Sequence, residues 1–183
     1  MLLHVCCAPC TIYSLAYWRE QGEDVQLYYF NPNIHPYAEY QKRLETLKQF
    51  VEAESVTHPL VLIIAKEYPL RDFLVSALAT EPRCDACYSM RLQRTAEMAL
   101  ELGEKEFSTT LLISPYQQHE RIAELGEAVA AQYGLRFRYA DLRPGFRGSQ
   151  NEARDRGYYR QKYCGCVFSE LERATSPKRG GKS

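Results

Sequence analysis

The fold is decided by the stretch Leu2-Leu3-His4-Val5-Cys6-Cys7-Ala8-Pro9-Cys10. Its first part, Leu2–Cys6, is a short apolar run of the kind that forms a buried β-strand. A turn signal follows at Ala8-Pro9, and apolar residues then recur at helical spacing over Cys10–Gln21, where Gly22 ends the pattern. These residues predict a strand–turn–helix unit with three cysteines at its turn.

The same alternation of strand and helix patterns continues along the chain. Further strands are predicted at Val25–Phe30, Leu60–Ala65, Phe107–Leu112 and Leu135–Tyr139. Further helices are predicted at 36–51, 69–79, 83–102 and 122–133. We expect Leu60–Ala65 to be buried on both faces because it is apolar throughout. About five strand–helix repeats imply right-handed βαβ units, so the sequence predicts an α/β fold in which helices flank a parallel sheet of about five strands.

The character of the sequence changes after Asp141. Residues 1–140 are predicted to form the sheet domain. Residues 141–175 are predicted to form a basic, tyrosine-rich extension that packs on the same domain and carries Cys164-Gly-Cys166. Residues 176–183 are mainly Gly, Lys and Ser, which predicts a disordered tail.

The composition excludes several classes of protein. Of the 183 residues, 45% are hydrophobic, which is ample for a core, and Lys+Arg balance Asp+Glu at 23 each. A chain with no net charge is not expected to coat nucleic acid, although a local basic patch is compatible with it. No apolar run approaches the roughly 18 residues that span a bilayer, and the N-terminal residues lack the basic and apolar regions of a signal peptide. We therefore expect a cytoplasmic protein without a membrane partner.

Seven cysteines in a cytoplasmic chain favour metal or redox chemistry, because thiols stay reduced there and an odd number does not fit a framework of disulfides. They fall into three short groups: Cys6, Cys7 and Cys10; Cys84 and Cys87; Cys164 and Cys166. The first two groups lie at predicted helix starts, where free N–H groups stabilise thiolates. Ligands bind outside the carboxyl ends of parallel strands, so we expect these two groups to share one metal site at that edge.

The spacing alone leaves the kind of site open. Zinc with Cys7, Cys10, Cys84 and Cys87 as ligands would leave three cysteines unexplained, whereas an iron–sulfur cluster also takes four thiolates and has other choices. A thioredoxin-like site at Cys7-Ala-Pro-Cys10 would use only two cysteines. A nucleotide hydrolase is disfavoured, because the loop after the first strand has no glycine to let phosphate approach the backbone.

Polar residues mark two further regions. Asn31, Asn33 and His35 follow the second strand and either bind a polar substrate or cap local turns.

Residues 136–162 contain eight basic and three acidic side chains, a net charge of +5, interleaved with tyrosines. Basic groups neutralise phosphates and aromatic rings stack on unpaired bases. Such a segment is ordinarily a solvated surface, but its attachment to Cys164-Gly-Cys166 favours RNA contact here. The candidates for that contact are Arg143, Arg160, Lys162 and Tyr163. His4 is expected to be a core residue.

Four motifs carry a family resemblance: His4-Val-Cys-Cys-Ala-Pro-Cys10, Phe30-Asn-Pro-Asn-Ile-His-Pro36, Arg83-Cys-Asp-Ala-Cys87 and Tyr159-Arg-Gln-Lys-Tyr-Cys-Gly-Cys166. From about residue 2 to about residue 173 the chain resembles the QueH family of epoxyqueuosine reductases. The resemblance implies a Rossmann-like domain related to nucleotide alpha-hydrolases. It also implies two-electron reduction of epoxyqueuosine to queuosine at the wobble position of tRNA, which is the last step of queuosine biosynthesis.

The resemblance further implies the cofactors and the role of each cysteine. A [4Fe-4S] cluster would be held by Cys6, Cys7, Cys84 and Cys87, with an additional iron ion nearby. Cys164 and Cys166 would form a redox-active pair, cycling through a disulfide, or bind the second metal; Cys10 is a further candidate for that metal. The implied partners are tRNA carrying epoxyqueuosine and an external electron donor. A thiol–disulfide oxidoreductase and a non-catalytic zinc-stabilised RNA-binding module remain the alternatives.

Overall fold

The structure, a computed structural model, describes residues 1–176. Within them, one parallel sheet contains the strands β1 (Leu2–His4), β2 (Gln26–Tyr29), β3 (Leu62–Ile64), β4 (Glu106–Thr109) and β5 (Arg136–Phe137). Their order across the sheet is β3-β2-β1-β4-β5. The predicted α/β fold with a five-stranded parallel sheet is therefore confirmed.

Seven helices accompany the sheet in the described part of the chain: α1 (Ala8–Glu20), α2 (Tyr37–Ser55), α3 (Leu70–Ala79), α4 (Arg83–Glu101), α5 (His119–Tyr133), α6 (Phe146–Asp155) and α7 (Val167–Thr175). Helix α1 packs against α2 and α6, whereas α4 packs against α3 and α5. Right-handed crossovers that leave β1 in one direction and β4 in the other place these two groups on opposite faces of the sheet. The sheet changes winding direction between β1 and β4, so a crevice opens at the carboxyl end of β1.

The centre of the core is β1, which pairs with β2 on one side and β4 on the other. Leu2 and Leu3 are fully buried, as the continuous apolar run predicts. Leu60–Ala65 was also predicted to be buried on both faces because it is apolar throughout, and this prediction is wrong. Strand β3 is an edge strand that pairs only with β2, and Ile64 is 37% exposed, because a run of apolar residues does not tell an edge strand from a central one.

Strand β4 is shorter than the predicted Phe107–Leu112. It ends at Thr109, whose hydroxyl accepts a hydrogen bond from the backbone N–H of Leu111 and caps a 3-10 turn over Thr110–Ile113. The turn diverts the chain at the carboxyl edge of the sheet. Its four residues are buried, and Thr110 and Leu111 line the crevice instead of extending the strand.

The extension after residue 140 contains a helix, α6, that the sequence patterns did not predict. Gly145 lies so close to α1 that a Cβ there would come within 2.1 Å of the Tyr13 ring. The hydroxyl of Ser149 donates to the carbonyl of Pro9. These contacts attach this part of the extension to α1, and the predicted organisation into residues 1–140 and a packed extension over 141–175 stays a prediction. Ser176 is the last described residue, so the predicted disordered tail lies almost entirely outside the described residues.

No helix within residues 1–176 has both the length and the apolar character needed to cross a membrane.

Candidate functional site

A cavity of about 670 Å³ contains most of the cysteines. Members of all three cysteine groups line it: Cys6, Cys10, Cys84, Cys87, Cys164 and Cys166. Cys7 is buried beside it and lies within 4.8 Å of Cys6 and Cys10, measured between the sulfurs. Two helix starts and one late loop thus meet at the carboxyl edge of the sheet.

Helix α1 positions the first cysteine group. Cys7 is the N-cap residue of α1, and Pro9 occupies the first turn, where its fixed φ suits a helix and its missing N–H costs nothing. The Cys6 and Cys7 sulfurs are 3.7 Å apart. Metal–sulfur bonds of about 2.3 Å in a tetrahedron separate sulfurs by roughly 3.8 Å, so Cys6 and Cys7 are spaced like neighbouring metal ligands, and the Cys10 sulfur is within 4.8 Å of both. The structure therefore groups Cys10 with Cys6 and Cys7.

Hydrogen bonds among these three thiols distribute their charge unequally. The Cys10 and Cys7 thiols donate to the Cys6 sulfur, and together with the nearby Arg91 they hold the pKa of Cys6 well below its ordinary value. The same bond raises the pKa of Cys10, while burial is the main cause of the raised pKa of Cys7.

The second group lies in the first turn of α4. Cys84 and Cys87 are partly buried, and burial raises the pKa of both thiols. One helical turn further on, Arg91 Nη1 approaches the Cys87 sulfur at 3.8 Å. The cation opposes the effect of burial on the Cys87 thiol, since it favours the thiolate.

The third group is a tight loop ahead of α7. The sulfurs of Cys164 and Cys166 are 3.8 Å apart and both cysteines are free thiols. Cys166 is the N-cap residue of α7 and accepts from the N–H of Ser169. A hydrogen bond from Cys164 lowers the pKa of Cys166 to about 5, so the pair holds a thiolate at neutral pH. Two adjacent thiols with one ionised are suited to disulfide exchange.

A buried arginine fixes this loop. Arg43 of α2 is 1% exposed and donates to the carbonyls of Tyr163 and Cys164, both at 3.1 Å. The Glu39 carboxylate accepts from Arg43 Nε at 2.7 Å and also accepts from the Tyr159 hydroxyl. This chain of charge-assisted bonds ties both ends of the segment 159–164 to α2.

The residues predicted to bind substrate fall into two sets. Asn33, Arg160, Lys162 and Tyr163 line the cavity. The other three have local partners: Asn31 bridges the Val5 carbonyl and Arg91, the His35 backbone joins the Gly165 loop, and the exposed Arg143 pairs with Asp141. Their role in substrate binding stays a prediction. His4 is fully buried between Thr109 and Phe30, which confirms it as a core residue.

Three site residues were missed by the sequence patterns: Arg43, Arg91 and Gln161. The side-chain amide of Gln161 donates to the Cys7 sulfur at 2.8 Å, and both arginines are buried beside thiols. Arginine is ordinarily a surface residue, so composition gives no hint of its burial. The one available signal was spacing, because Arg91 follows Cys87 by four residues and must share its helix face.

Comparisons with known proteins agree with this site. The family model described as epoxyqueuosine reductase QueH matches residues 1–172. A protein of that name from Dehalococcoides mccartyi is 43% identical over 178 residues, which are 97% of this chain and 96% of the relative. Proteins of the same name from Staphylococcus epidermidis and Thermotoga maritima are 36% and 34% identical, covering 100% and 94% of this chain and 81% and 91% of the relatives. The chain therefore belongs to the QueH family of epoxyqueuosine reductases and is an oxidoreductase.

Proposed function

We propose that this chain reduces the epoxide of epoxyqueuosine within tRNA, at the wobble position, and so completes queuosine biosynthesis in the cytoplasm. Two electrons and two protons convert the epoxide into an alkene and water as both C–O bonds break. The observation that carries the proposal is the convergence of six cysteines on one cavity in a chain of a reductase family.

The donor set of the cavity fits an iron–sulfur cluster. Four thiolates are needed, and Cys6, Cys7, Cys84 and Cys87 supply them from two helix starts whose free N–H groups favour negative charge. Cys10 is the neighbouring donor for an additional iron ion, since its sulfur lies within 4.8 Å of two of these. When bound, the cluster supplies single electrons and the iron supplies a Lewis acid.

The protein's own residues bind and orient the RNA. Arg160 and Lys162 line the cavity and are available to neutralise phosphates at its mouth. Tyr163 lies between the basic residues and the cysteine loop, with its hydroxyl donating to the His35 carbonyl at 2.6 Å. A nucleotide held at this rim would have its modified base directed toward the cysteines.

The late cysteine pair gives electrons a route into the site. Cys164 is exposed and Cys166 is buried, with 3.8 Å between the sulfurs. An external dithiol or other electron donor can reach Cys164, because that side chain is open to solvent. Oxidation of the pair to a disulfide would release two electrons, the number that the epoxide requires.

The experiment that tests this function uses protein purified and reconstituted without oxygen. We expect a brown protein with iron and sulfide that, with a reductant, removes the mass of one oxygen from the epoxyqueuosine of tRNA, as measured by nucleoside mass spectrometry. Replacement of Cys84 and Cys87 by serine should abolish the colour and the reaction together. Arg154→Ala serves as the control, because Arg154 pairs with Asp155 on the exposed face of α6.

A colourless zinc protein would contradict the proposal and support an RNA-binding module. Activity that survives the loss of Cys84 and Cys87 would support a thiol–disulfide oxidoreductase.

A further inference from the structure

Arg91 is a buried cation in the wall of the cysteine cavity. Arg91 is 3% exposed, and all three of its guanidinium nitrogens contact protein atoms. Nη2 donates to Asn31 Oδ1 at 2.8 Å, Nη1 approaches the Cys87 sulfur at 3.8 Å, and Nε lies 3.4 Å from His4 Nε2. The guanidinium is therefore fixed in place one helical turn from Cys87.

None of these partners is a carboxylate, so within residues 1–176 the Arg91 charge has no acidic partner in hydrogen-bond contact. Asn31 is neutral. His4 is not an acid, and its ring lies between Thr109 Oγ1 and the Phe30 carbonyl. By comparison, Arg43 has the Glu39 carboxylate at 2.7 Å. A buried charge without a counter-charge is strongly unfavourable, so Arg91 requires an anion that the carboxylates do not supply.

The anion that the cavity offers is sulfur. Cys87, whose sulfur is 3.8 Å from Arg91 Nη1, lines the same cavity as Arg91, and so do Cys6 and Cys164. Two of these belong to the four thiolates of the proposed cluster, and a cluster with four thiolates carries net negative charge that grows with each electron added. A fixed cation in a site of low dielectric favours the more negative state.

We propose that Arg91 is the permanent counter-ion of the thiolate metal centre and makes that centre easier to reduce. It is a positioning residue that acts through the centre, without touching substrate. The inference rests on the proposed iron–sulfur chemistry. It adds that a single arginine, fixed by Asn31, sets the reduction potential.

The test is a potentiometric titration of the anaerobically reconstituted full-length protein without tRNA, followed by visible absorbance and electron paramagnetic resonance. At the potential that half reduces the native centre, Arg91→Gln should show a ratio of reduced to oxidised centre lower by about tenfold, which for one electron is about 59 mV. Arg91→Lys should recover most of the difference because it keeps the charge. Arg94→Gln is the control and should titrate like the native protein. Arg94 lies about one turn further along α4 and has Glu67 as its carboxylate partner.

A second measurement covers the case in which Arg91→Gln does not hold the centre. We expect its metal-free form to stay folded, since the replacement leaves no carboxylate without a partner. A folded metal-free variant that fails to load supports the counter-ion role. A metal-free variant that is itself unfolded would overturn it and assign Arg91 to the core. An unchanged titration in a loaded Arg91→Gln protein would overturn the inference and leave the proposed function standing. Absence of iron and sulfide from the native protein would overturn both.

Discussion

Replacement of Gly165 by alanine tests the geometry of the cysteine loop. Gly165 has φ of +126°, a backbone conformation that L side chains rarely adopt. An added Cβ would lie 2.8 Å from Ile34 Cγ1 and 3.3 Å from Arg43 Nη1. Neither neighbour yields easily, because Ile34 is fully buried and Arg43 is held by Glu39. A backbone conformation this restricted costs about 1–3 kcal/mol for a residue other than glycine.

The cost is measurable as a shift in melting temperature. For a domain of this size about 1 kcal/mol corresponds to roughly 2–4 °C, so Gly165→Ala should lower the melting temperature by about 2–12 °C. Circular dichroism of the reduced, metal-free protein gives the melting temperature, and alkylation of Cys166 reports any displacement of the loop. Gly148→Ala is the matched control. Gly148 is helical, a Cβ there meets nothing within 4 Å, and alanine should stabilise α6 by about 0.5–1 kcal/mol. A Gly165→Ala protein with the native melting temperature and the native alkylation rate would refute the reasoning.

Three further perturbations follow from the same contacts. Arg43→Met leaves the partly buried Glu39 carboxylate with the Tyr159 hydroxyl as its remaining donor and should destabilise the protein by about 1–3 kcal/mol in urea unfolding, whereas Arg43→Lys should cost less because the charge remains. Combined replacement of Arg160 and Lys162 by alanine should weaken tRNA binding and reduce the slope of log affinity against log salt by about 2 in filter-binding assays; Arg154→Ala should change neither. Removal of metal by a chelator should lower the melting temperature, by an amount equivalent to about 4 kcal/mol if metal was present at 1,000 times its dissociation constant, and reconstitution with iron and sulfide should restore it.

The sequence was sufficient to predict the central unit of the fold. A continuous apolar run followed by Pro9 predicts a buried strand that leads into a helix. The structure has this strand at Leu2–His4 and this helix at Ala8–Glu20. The edge strand β3 was placed correctly but its burial was not, because burial of a strand depends on what covers it. Helix α6 was missed since it is strongly polar and buries only Ser149 and Ala153. Its stability comes from packing on α1, which local patterns do not encode.

The sequence predicted which groups of cysteines form the candidate site, but it did not predict the contacts of individual side chains. The two Cys-x-x-Cys motifs lie at helix starts, and these helices follow parallel strands whose carboxyl ends meet at one edge. This was sufficient to predict that the first two cysteine groups lie at the same edge of the sheet. The closeness of Cys10 to Cys6 and Cys7 depends on side-chain rotamers within a single turn, which spacing does not determine. The buried arginines depend on tertiary contacts across 60 or more residues, such as Arg91 with Asn31 and Arg43 with Cys164. Such contacts leave no signature in a local window of sequence.

The absence of glycine from the loop after β1 can now be given a physical explanation. A parallel sheet that changes winding direction at β1 presents helix N-termini to its crevice, and these attract anions. In nucleotide-binding proteins the anion is a phosphate, which needs glycine so that the backbone can approach it. Here the proposed anions are metal-bound thiolates of the chain itself, since Cys7 is the N-cap residue of α1 and Cys84 lies in the first turn of α4. We expect such a loop to need cysteines that bind the metal in place of glycine, and the proposed role of the buried Arg91 is to balance the charge of these thiolates.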